Sequence, residues 1–444
     1  MNSRLAFAFV LALSPAALAD GAVLVVDDNG GPGVDYVDIQ SAVDASAPGD
    51  VVLVKAGSYA PFGIVGKGIS VVADNEETAR VSGQILVSEV PAGELAVLRG
   101  LSTSTPLSAG IAIDECAGTV FVEECSFVGE VHPNAFGSGL GYPGARVQDS
   151  ASVVFVRSSL RGGNGQIVTP TFYSGATPGA DGILARRSSI IVVDCTLTGG
   201  NGAWGPAESY ASGGEGGDGI EIFDTTAWIF GGAAFCGNGG PGGGDFDGLF
   251  GVYECGSGGN GGNGVRLVEN DNYSPVAPST AVVRDFTVHT GNGGFLTCTE
   301  GFVMPGTDGV SVKTEGFQTT HTVMELAGRA RSTYVSSPVR GGTTLRIWAQ
   351  GIEGDLFFFT LGGASIAPVD LGLTMPLALG PPFQSVVLGV LPEGEQLLTQ
   401  IPLSPFGPGF GGRTLSFQGA FVSASTGVLE LAPPGTMTLL ESAY

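Results

Sequence analysis

The stretch Gly182-Ile-Leu-Ala-Arg returns as Gly219-Ile-Glu-Ile-Phe, a glycine followed by a short segment with apolar first and third residues. The same phrase recurs as Gly110-Ile-Ala-Ile-Asp, Gly144-Ala-Arg-Val-Gln, Gly264-Val-Arg-Leu-Val and Gly309-Val-Ser-Val-Lys. The six starts are 34, 38, 37, 45 and 45 residues apart. Such alternation is typical of a short strand, and return at elastic intervals is typical of a solenoid whose coils carry variable loops. The repeat therefore predicts stacked coils of short strands.

Two more phrases follow within each unit. An apolar run such as Ile190-Ile-Val-Val-Asp-Cys predicts a second strand on another face of the coil, and a turn such as Leu197-Thr-Gly-Gly-Asn-Gly closes it. The turns place four asparagines in one column, Asn164, Asn201, Asn238 and Asn292. Because asparagine tolerates αL geometry, we expect αL turns and a ladder of hydrogen bonds between side-chain amides.

Glycine-rich inserts separate each asparagine turn from the next Gly-led strand, and 25 of the 66 residues from Gly199 to Gly264 are glycine. Because the inserts enter at the same point of each coil, we expect them to emerge together on one side of the solenoid. Because binding residues often lie on surface loops, that side of the solenoid is a candidate binding site. Irregular loops without a ligand are the alternative.

Residues 1–19 have the pattern of a secretory signal peptide, with Arg4, an apolar core at 5–13 and Ala17-Leu-Ala19 before Asp20. We therefore expect a secreted protein, extracellular or at the cell surface. No later apolar run approaches the length of a membrane span. The formal net charge of −24 argues against nucleic acid as a partner.

Six cysteines in an exported chain favour disulfides. Cys236 and Cys255 flank one glycine-rich insert, and their pairing is the first prediction. Cys116 with Cys125 is a second possible pairing, across one corner of a coil. Six cysteines allow 15 pairings, so the connectivity stays open.

The two ends of the chain predict different structures. Ile39, Ala42 and Val43 repeat at helical spacing and predict one short helix that caps the open N-terminal end of the solenoid. Beyond about residue 321 longer apolar strands with Gly and Pro turns predict a small antiparallel β-sandwich, either closing the C-terminal end or lying beside the solenoid. The predicted units are a signal peptide at 1–19, a β-helix at 20–320 and a sandwich at 321–444.

The first coils resemble a known class. Ile39-Gln-Ser-Ala-Val, Pro48-Gly-Asp-Val-Val-Leu-Val-Lys-Ala-Gly-Ser-Tyr and Val97-Leu-Arg-Gly-Leu look like the opening of secreted right-handed parallel β-helix proteins of the pectin-lyase-like class. The resemblance implies an all-β fold with three parallel sheets wound into a prism. It does not imply an enzyme, because this class includes lyases, hydrolases, esterases and adhesins.

The sequence offers no catalytic constellation, and we assign no catalytic residue. His132, His289 and His321 are single residues in different coils, without a Ser/His/Asp arrangement. Asp181, Asp218 and Asp308 precede Gly-led strands in a pattern that partly matches calcium-binding β-rolls, so calcium is a weak expectation and no other cofactor is expected. Asp-Gly turns that launch strands are the alternative.

The leading hypothesis is an exported, non-catalytic β-helix protein that recognises glycan or protein through its inserts. The alternative is a polysaccharide lyase or glycoside hydrolase of the pectin-lyase-like class. Polysaccharide or a surface protein is the expected partner, and the ligand and oligomeric state stay open.

Overall fold

The computed structural model describes residues 21–74, 79–104, 108–130, 141–166, 176–205, 212–247, 252–269, 278–295, 304–315, 321–369, 375, 377–406 and 411–444. The predicted signal peptide at 1–19 lies outside them. Side chains are not described for 244–247, 252–255, 363–369 and 380–383.

Within the described residues, the predicted β-helix is confirmed as three parallel sheets of ten, eight and eight strands, and each complete coil gives one strand to each sheet. The first sheet contains β1 (Val23–Val26), β2 (Val51–Val54), β5 (Ser70–Ala73), β8 (Leu95–Arg99), β11 (Thr119–Glu123), β14 (Ser152–Val156), β17 (Ser189–Val193), β20 (Thr226–Phe230), β25 (Thr280–Arg284) and β28 (Thr322–Leu326). The second sheet contains β4 (Phe62–Val65), β7 (Ile85–Ser88), β10 (Ile111–Asp114), β13 (Ala145–Gln148), β16 (Ile183–Arg186), β19 (Ile220–Phe223), β24 (Val265–Val268) and β27 (Val312–Glu315). Five of these strands directly follow the glycine of the repeat, whereas β27 begins three residues after Gly309 and pairs Val312 with Val265. The third sheet contains β3 (Gly57–Tyr59), β6 (Ala79–Val81), β9 (Leu101–Thr103), β12 (Ser126–Val128), β15 (Ser159–Arg161), β18 (Thr196–Thr198), β21 (Ala233–Phe235) and β26 (Thr287–His289).

The alternation read from the Gly-led strands fixes the register of the coils. Ile183 pairs with Ile220, which pairs with Val265, and all three side chains are fully buried. A slip of one residue would turn every apolar side chain of a strand to the opposite face, so the pattern permits one register. The interior is a continuous stack of Val, Ile, Leu and Phe.

Charged residues adopt the left-handed conformation at two corners of the coil. The corner after the second sheet uses Glu89 (φ 56°), Glu115 (φ 56°), Asp149 (φ 49°), Arg187 (φ 46°) and Asp224 (φ 47°), and the corner after the first sheet uses Glu124 (φ 54°), Arg157 (φ 45°), Asp194 (φ 46°) and Asp285 (φ 54°). This conformation costs a non-glycine residue about 1–2 kcal/mol. Stacking of the corners brings opposite charges together, as where Arg187 Nε donates to Asp149 Oδ1 at 2.6 Å.

The predicted cap is confirmed as helix α1 (Ile39–Ala45). Asp38 is its N-cap and accepts a hydrogen bond from Ser41 N at 2.8 Å. Ile39, Ala42 and Val43 are buried against the first coil, and the helix thereby covers the apolar end of the core.

The C-terminal part forms two further sheets, as predicted. A three-stranded antiparallel sheet contains β29 (Ser332–Val335), β31 (Thr344–Gln350) and β34 (Gln396–Pro402), and a five-stranded sheet contains β30 (Val339–Arg340), β36 (Leu429–Leu440), β35 (Arg413–Val422), β32 (Leu356–Val369) and β33 (Leu377–Val390). A separate apolar core includes Phe357, Phe421 and Met437. Because β28 pairs with β25, the solenoid extends to Leu326, past the predicted boundary at 320.

The C-terminal part lies beside the solenoid, against the outer surface of the first sheet. Phe121, Val154 and Ile191 point outward from that sheet and pack in one cluster with Leu431 and Met375. A polar contact joins the two parts. Glu123, 3% exposed, accepts hydrogen bonds from Thr436 N at 2.8 Å and Thr436 Oγ1 at 2.9 Å and pairs with buried Arg99 at 2.8 Å. The outer surface of the first sheet is therefore largely covered, except at β28, where Met324 is 50% exposed.

The cysteine predictions require correction, because Cys116, Cys125, Cys195 and Cys236 carry free thiols and neither predicted disulfide is formed. Cys116 and Cys125 lie at opposite ends of β11, and a strand of five residues spans about 16 Å. A disulfide tolerates a Cα separation of up to about 7 Å. Cys236 packs against the solenoid core, and the side chain of Cys255 lies outside the described set.

Burial raises the pKa of the Cys125 and Cys195 thiols to about 12, which keeps both unreactive. In the part of the chain that the structure describes, no helix has the length and apolar character needed to cross a membrane.

Candidate functional site

The glycine-rich inserts leave the solenoid between the third and second sheets. Each runs outward from a third-sheet strand and returns to a second-sheet strand. We call these segments the glycine array. Its outgoing segments are 162–166, 199–205, 236–243 and 290–295, and its returning segments are 176–182, 212–219, 256–264 and 304–309. At one tip, β22 (Gly244–Asp247) and β23 (Val252–Cys255) form an antiparallel hairpin.

Main-chain hydrogen bonds join successive segments of the same direction. In the outgoing row, Gly165 N donates to Asn201 O at 2.7 Å, and Gly202 N donates to Asn238 O at 2.8 Å. In the returning row, Gly216 N donates to Asn260 O at 2.8 Å. Each segment is therefore bonded to its counterpart in the next coil, as a strand would be.

A second set of hydrogen bonds joins the two rows. It runs in a zigzag in which each glycine N–H donates to the carbonyl of the preceding segment: Gly309 to Gly291, Gly291 to Gly262, Gly262 to Gly237, Gly237 to Gly217, Gly217 to Gly200 and Gly200 to Ala180. The donor–acceptor distances are 2.7–3.0 Å. The array is thus an ordered two-layer structure, and the alternative of irregular loops is wrong for the described segments.

Glycine is required where the rows meet. A Cβ built on Gly240 would overlap the carbonyl oxygen of Ala203, and one built on Gly217 would overlap that of Ala180. The backbones therefore approach to a distance at which only a hydrogen fits. Collagen places glycine at the crowded axis of its triple helix for the same reason.

Exposure in the array has a period of three residues. In the segment 199–205, Asn201 and Trp204 are exposed while Gly200, Gly202 and Ala203 are buried. Among the described residues of the array, no main-chain hydrogen bond joins two residues of one segment. Three residues per turn without internal hydrogen bonds are the features of a polyproline II helix. We therefore describe the array as two layers of polyproline II-like segments.

The predicted asparagine ladder forms, but its regular donor is the main-chain N–H and its backbone geometry differs. Among the described residues of the column, the predicted bond between side-chain amides occurs once, where Asn292 Nδ2 donates to Asn238 Oδ1 at 3.3 Å. Asn201 N donates to Asn164 Oδ1 at 2.8 Å, Asn238 N to Asn201 Oδ1 at 2.8 Å and Asn292 N to Asn238 Oδ1 at 2.9 Å. The expected αL geometry is wrong, because none of these four asparagines has a positive φ. Their segments stay extended, which leaves each main-chain N–H free to reach the side-chain oxygen of the previous coil.

The outgoing row presents three parallel columns of side chains, which together we call the outgoing face. The first column lies at the ends of third-sheet strands and consists of Arg161, Thr198, Phe235 and His289. The middle column is the asparagine ladder. The third column contains Trp204 and Phe295, with the buried Pro241 between them. Trp204 is 62% exposed and Phe295 is 63% exposed. Phe235 is 44% exposed and stacks on the His289 ring, with centroids 4.7 Å apart. Large apolar groups displayed together on a surface indicate an interaction site.

The ladder determines which hydrogen-bonding groups the outgoing face offers. Because each side-chain oxygen accepts a main-chain N–H, the amide orientation is fixed and the Nδ2 group points away from that bond. No partner for Nδ2 of Asn164, Asn201 or Asn238 occurs among the described residues. The middle column is therefore a row of available donors, with Phe235 and His289 on one side and Trp204 and Phe295 on the other.

The returning row brings together two of the three proposed calcium ligands. Asp218 N donates to Asp181 Oδ1 at 2.8 Å, and Asp218 Oδ1 accepts from Asn263 Nδ2 at 2.8 Å. Asp308 is placed differently, and its Oδ1 accepts from Gly293 N at 2.8 Å. These oxygens continue the hydrogen bonding of the array. Among the described residues there is no group of three or more His, Cys, Asp or Glu placed to hold a metal.

A cluster of carboxyl groups lies beside this column. Burial, followed by repulsion from Glu221 and Asp218, raises the pKa of Asp181 well above its usual range. Burial also raises the pKa of Asp218 and of Glu221. Arg266 contacts Glu221 at 3.0 Å and Glu315 at 2.6 Å. The histidines lie elsewhere: His289 stacks on Phe235, His321 Nδ1 accepts from Ser279 N at 3.1 Å, and His132 is outside the described set.

The residues of the aromatic columns are not among those predicted from sequence, because the inserts have neither the two-residue alternation of a strand nor the spacing of a helix. The signal lay in the triplets, since Gly-Gly-Asn-Gly-Ala-Trp at 199–204 already has the three-residue period of a polyproline II helix. Applied to each insert, that period selects Asn201 with Trp204, and Asn292 with Phe295, as outward pairs.

Known proteins offer little guidance. No protein-family model matches the chain, and no curated protein matches it. Among solved structures, the chain is similar to the receptor-binding domain of the Siphovirus 9NA tailspike, with 10% sequence identity over 90% of this chain and 97% of that chain and a TM-score of 0.17. At that score the similarity carries no argument, and the outgoing face has to be interpreted from its own geometry.

Proposed function

We propose that this protein is an exported, non-catalytic recognition protein whose outgoing face binds a neutral polysaccharide. The observation that carries the proposal is the row of amide donors between columns of exposed aromatic rings. Sugars present hydroxyl and ring oxygens that accept hydrogen bonds, together with apolar C–H faces. The asparagine amides would donate to the oxygens, and the aromatic rings would pack against the C–H faces. The signal-peptide pattern at 1–19 supports export.

Charge favours a neutral ligand over an acidic one. The protein has a formal net charge of −24, which repels polyanions at long range. The outgoing columns themselves contain one cation, Arg161, and no carboxylate. Desolvation of an unpaired charge opposes binding. A face whose one charged group is Arg161, at the end of its column, would meet a neutral chain with little such cost.

Position supports the same face. The first sheet is largely covered by the C-terminal part, whereas the outgoing row is exposed and continues from the third sheet. The hydrogen bonds between the rows hold the face in one arrangement before a ligand arrives. Pre-organisation of this kind favours affinity, because less conformational entropy is lost on binding.

The test is a binding screen of the mature protein against insoluble and soluble polysaccharides, neutral and acidic, by co-sedimentation and calorimetry. We expect binding to at least one neutral polysaccharide. Trp204→Ala combined with Phe295→Ala should weaken it at least ten-fold. Met304→Ala is the matched control, because Met304 is 79% exposed in the returning row.

Three outcomes would overturn the proposal. These are no binding to any neutral polysaccharide, equal binding by the aromatic variant, or new reducing ends or unsaturated sugars after incubation. The last would favour the lyase or hydrolase alternative.

A further inference from the structure

We infer that the ligand is an extended, β-linked neutral chain that lies along the asparagine ladder, with one sugar unit beside each coil. This inference rests on the proposed function and specifies its ligand. The relevant geometry is the direction of the ladder and the distance between its rungs.

The donors of the ladder run along the solenoid axis. Asn164, Asn201, Asn238 and Asn292 belong to successive coils, each bonded to the next by a side-chain oxygen and a main-chain N–H. Successive strands of a sheet are about 4.8 Å apart, and the coils stack at this distance. A ligand along the ladder therefore meets an available amide donor at Asn164, Asn201 and Asn238, whereas Asn292 Nδ2 donates to Asn238 Oδ1 at 3.3 Å.

The repeat of the ligand must match this spacing for every unit to meet a donor. An extended β-1,4-linked pyranose chain advances by nearly the coil spacing at each sugar, whereas a helical chain such as an α-1,4-linked glucan turns away from the ladder after one or two units. A ligand laid across the ladder would meet one donor only, because outward positions along a segment recur about every 9 Å.

The aromatic columns are parallel to the ladder on both sides. Phe235 and Phe295 lie in the columns on either side of it, each one outward position from an asparagine along its own segment. The stacked Phe235 and His289 rings span two coils, since they come from paired strands. The columns thus form apolar flanks along the path proposed for the chain.

The donor groups can be removed without breaking the ladder. Asn→Asp keeps Oδ1, the acceptor that binds the next coil, and replaces the Nδ2 donor by an oxygen. We expect Asn164→Asp, Asn201→Asp and Asn238→Asp each to weaken binding of a long β-linked oligosaccharide about five-fold or more, the loss of about one net hydrogen bond. Ser212→Asp adds the same charge to the returning row and should leave binding unchanged.

Calorimetry with oligosaccharides of increasing length completes the test. Affinity for β-linked chains should rise with each added sugar up to four to six units and then level off, and α-linked chains of the same length should bind at least ten-fold more weakly. Equal affinity for α- and β-linked chains, or an effect of only one of the three Asn→Asp variants, would overturn the inference. If the inference failed in this way but the double variant Trp204→Ala, Phe295→Ala still lost polysaccharide binding, the proposed function would stand without the inference. Absence of polysaccharide binding by the wild-type protein would overturn both the proposed function and the inference.

Discussion

Single residues in this protein are held in conformations that the stack of coils dictates. The left-handed corners are the clearest case, because glutamate and arginine occupy positions where glycine would be unstrained. Where charges of opposite sign stack, as in Arg187 over Asp149, the ion pair offsets part of the strain. Glu89 is exposed and lies in its column between Gly66 and Glu115, neither of which carries an opposite charge.

Glu89→Gly should stabilise the protein. Glu89 has φ 56°, and release of this strain outweighs the extra entropy of glycine in the unfolded chain. We expect the free energy of unfolding to rise by about 0.5–1 kcal/mol in urea titrations. Glu393→Gly is the control at an exposed turn position without a positive φ, and it should destabilise. A loss of stability in Glu89→Gly would contradict the argument.

Asp181→Asn should stabilise the protein at pH 8 and not at pH 3.5. Burial and neighbouring carboxyls raise the folded-state pKa of Asp181, so the native state binds more protons than the unfolded state above about pH 4. Stability associated with this group is therefore present at low pH and falls as the pH rises through the folded-state pKa. Asparagine removes that loss and keeps the oxygen that accepts Asp218 N. Thermal unfolding across the pH range measures it, and an equal shift at both pH values would reject this origin.

At the scale of elements, the glycine array differs from the loops that its composition suggests. A segment bonded on two sides should exchange its amide hydrogens as slowly as a strand. The carbonyl groups of Gly200, Gly217 and Gly237 each accept a hydrogen bond from the next segment, so the array should open as a unit.

Gly240→Ala should disrupt that unit. Its Cβ would overlap the carbonyl oxygen of Ala203 in the neighbouring outgoing segment, an oxygen that accepts a hydrogen bond from Gly214 N of the returning row. Overpacking of this kind costs about 1–3 kcal/mol. We expect amide exchange in 199–205, 212–219 and 236–243 to be slow in the wild-type protein and much faster in the variant. Ser212→Ala, at an exposed position of the same array, should leave exchange slow. Fast exchange of these segments in the wild-type protein would show that the array is not formed.

How far the sequence predicted these elements depends on the period of each pattern. The two-residue alternation after Gly182 and Gly219 predicted the strands and their register, and helical spacing predicted α1, because side chains alone decide both. The glycine array depends on main-chain bonds between segments that are distant in sequence, such as Gly217 with Gly200 and Gly202 with Asn238, and such bonds leave no apolar pattern. The asparagine column was predicted because an asparagine recurs at the same turn of successive coils. Trp204 and Phe295 lie three residues after an asparagine, and only the three-residue period of the array predicts that they are exposed.

On the scale of the whole molecule, the C-terminal part and the glycine array occupy different sides of the solenoid. The former covers the first sheet through apolar packing and the buried Arg99–Glu123 pair. The sequence did not decide whether the C-terminal part closes the end of the solenoid or lies beside it. Strands β14 and β17 are apolar at every second position and also between them, so their pattern does not distinguish outward side chains from interior ones. The docked arrangement makes folding of the two parts interdependent.

Glu123→Ala should weaken that docking strongly. It removes one of the two carboxylates that pair with buried Arg99, and it removes two hydrogen bonds from Thr436. Complete loss of a buried partner costs about 3–5 kcal/mol, and the remaining contact of Arg99 Nη2 with Glu124 Oε2 at 2.8 Å places the expected loss at the lower end of that range. We expect a lower melting temperature and easier proteolytic cleavage between the two parts. Glu123→Gln keeps most of the hydrogen bonding and should show a smaller effect. Unchanged unfolding of Glu123→Ala would mean that the apolar contacts and the other ion pairs between the parts, Arg284–Glu430 and Arg340–Asp74, hold them without Glu123.

The three-residue period of the glycine array restricts how this protein can change in length. Insertion of one residue into an outgoing segment would rotate everything beyond it by a third of a turn and place a side chain where two backbones meet. Insertion of a whole triplet preserves the alternation of buried and exposed positions and lengthens the segment by about 9 Å. The glycine array of a natural or engineered variant can therefore be lengthened in steps of three residues per segment, and each step adds one column of side chains to the outgoing face. Mature protein with one added Gly-Asn-Gly triplet in each segment should fold as well as the parent, and one with a single added glycine in each should not.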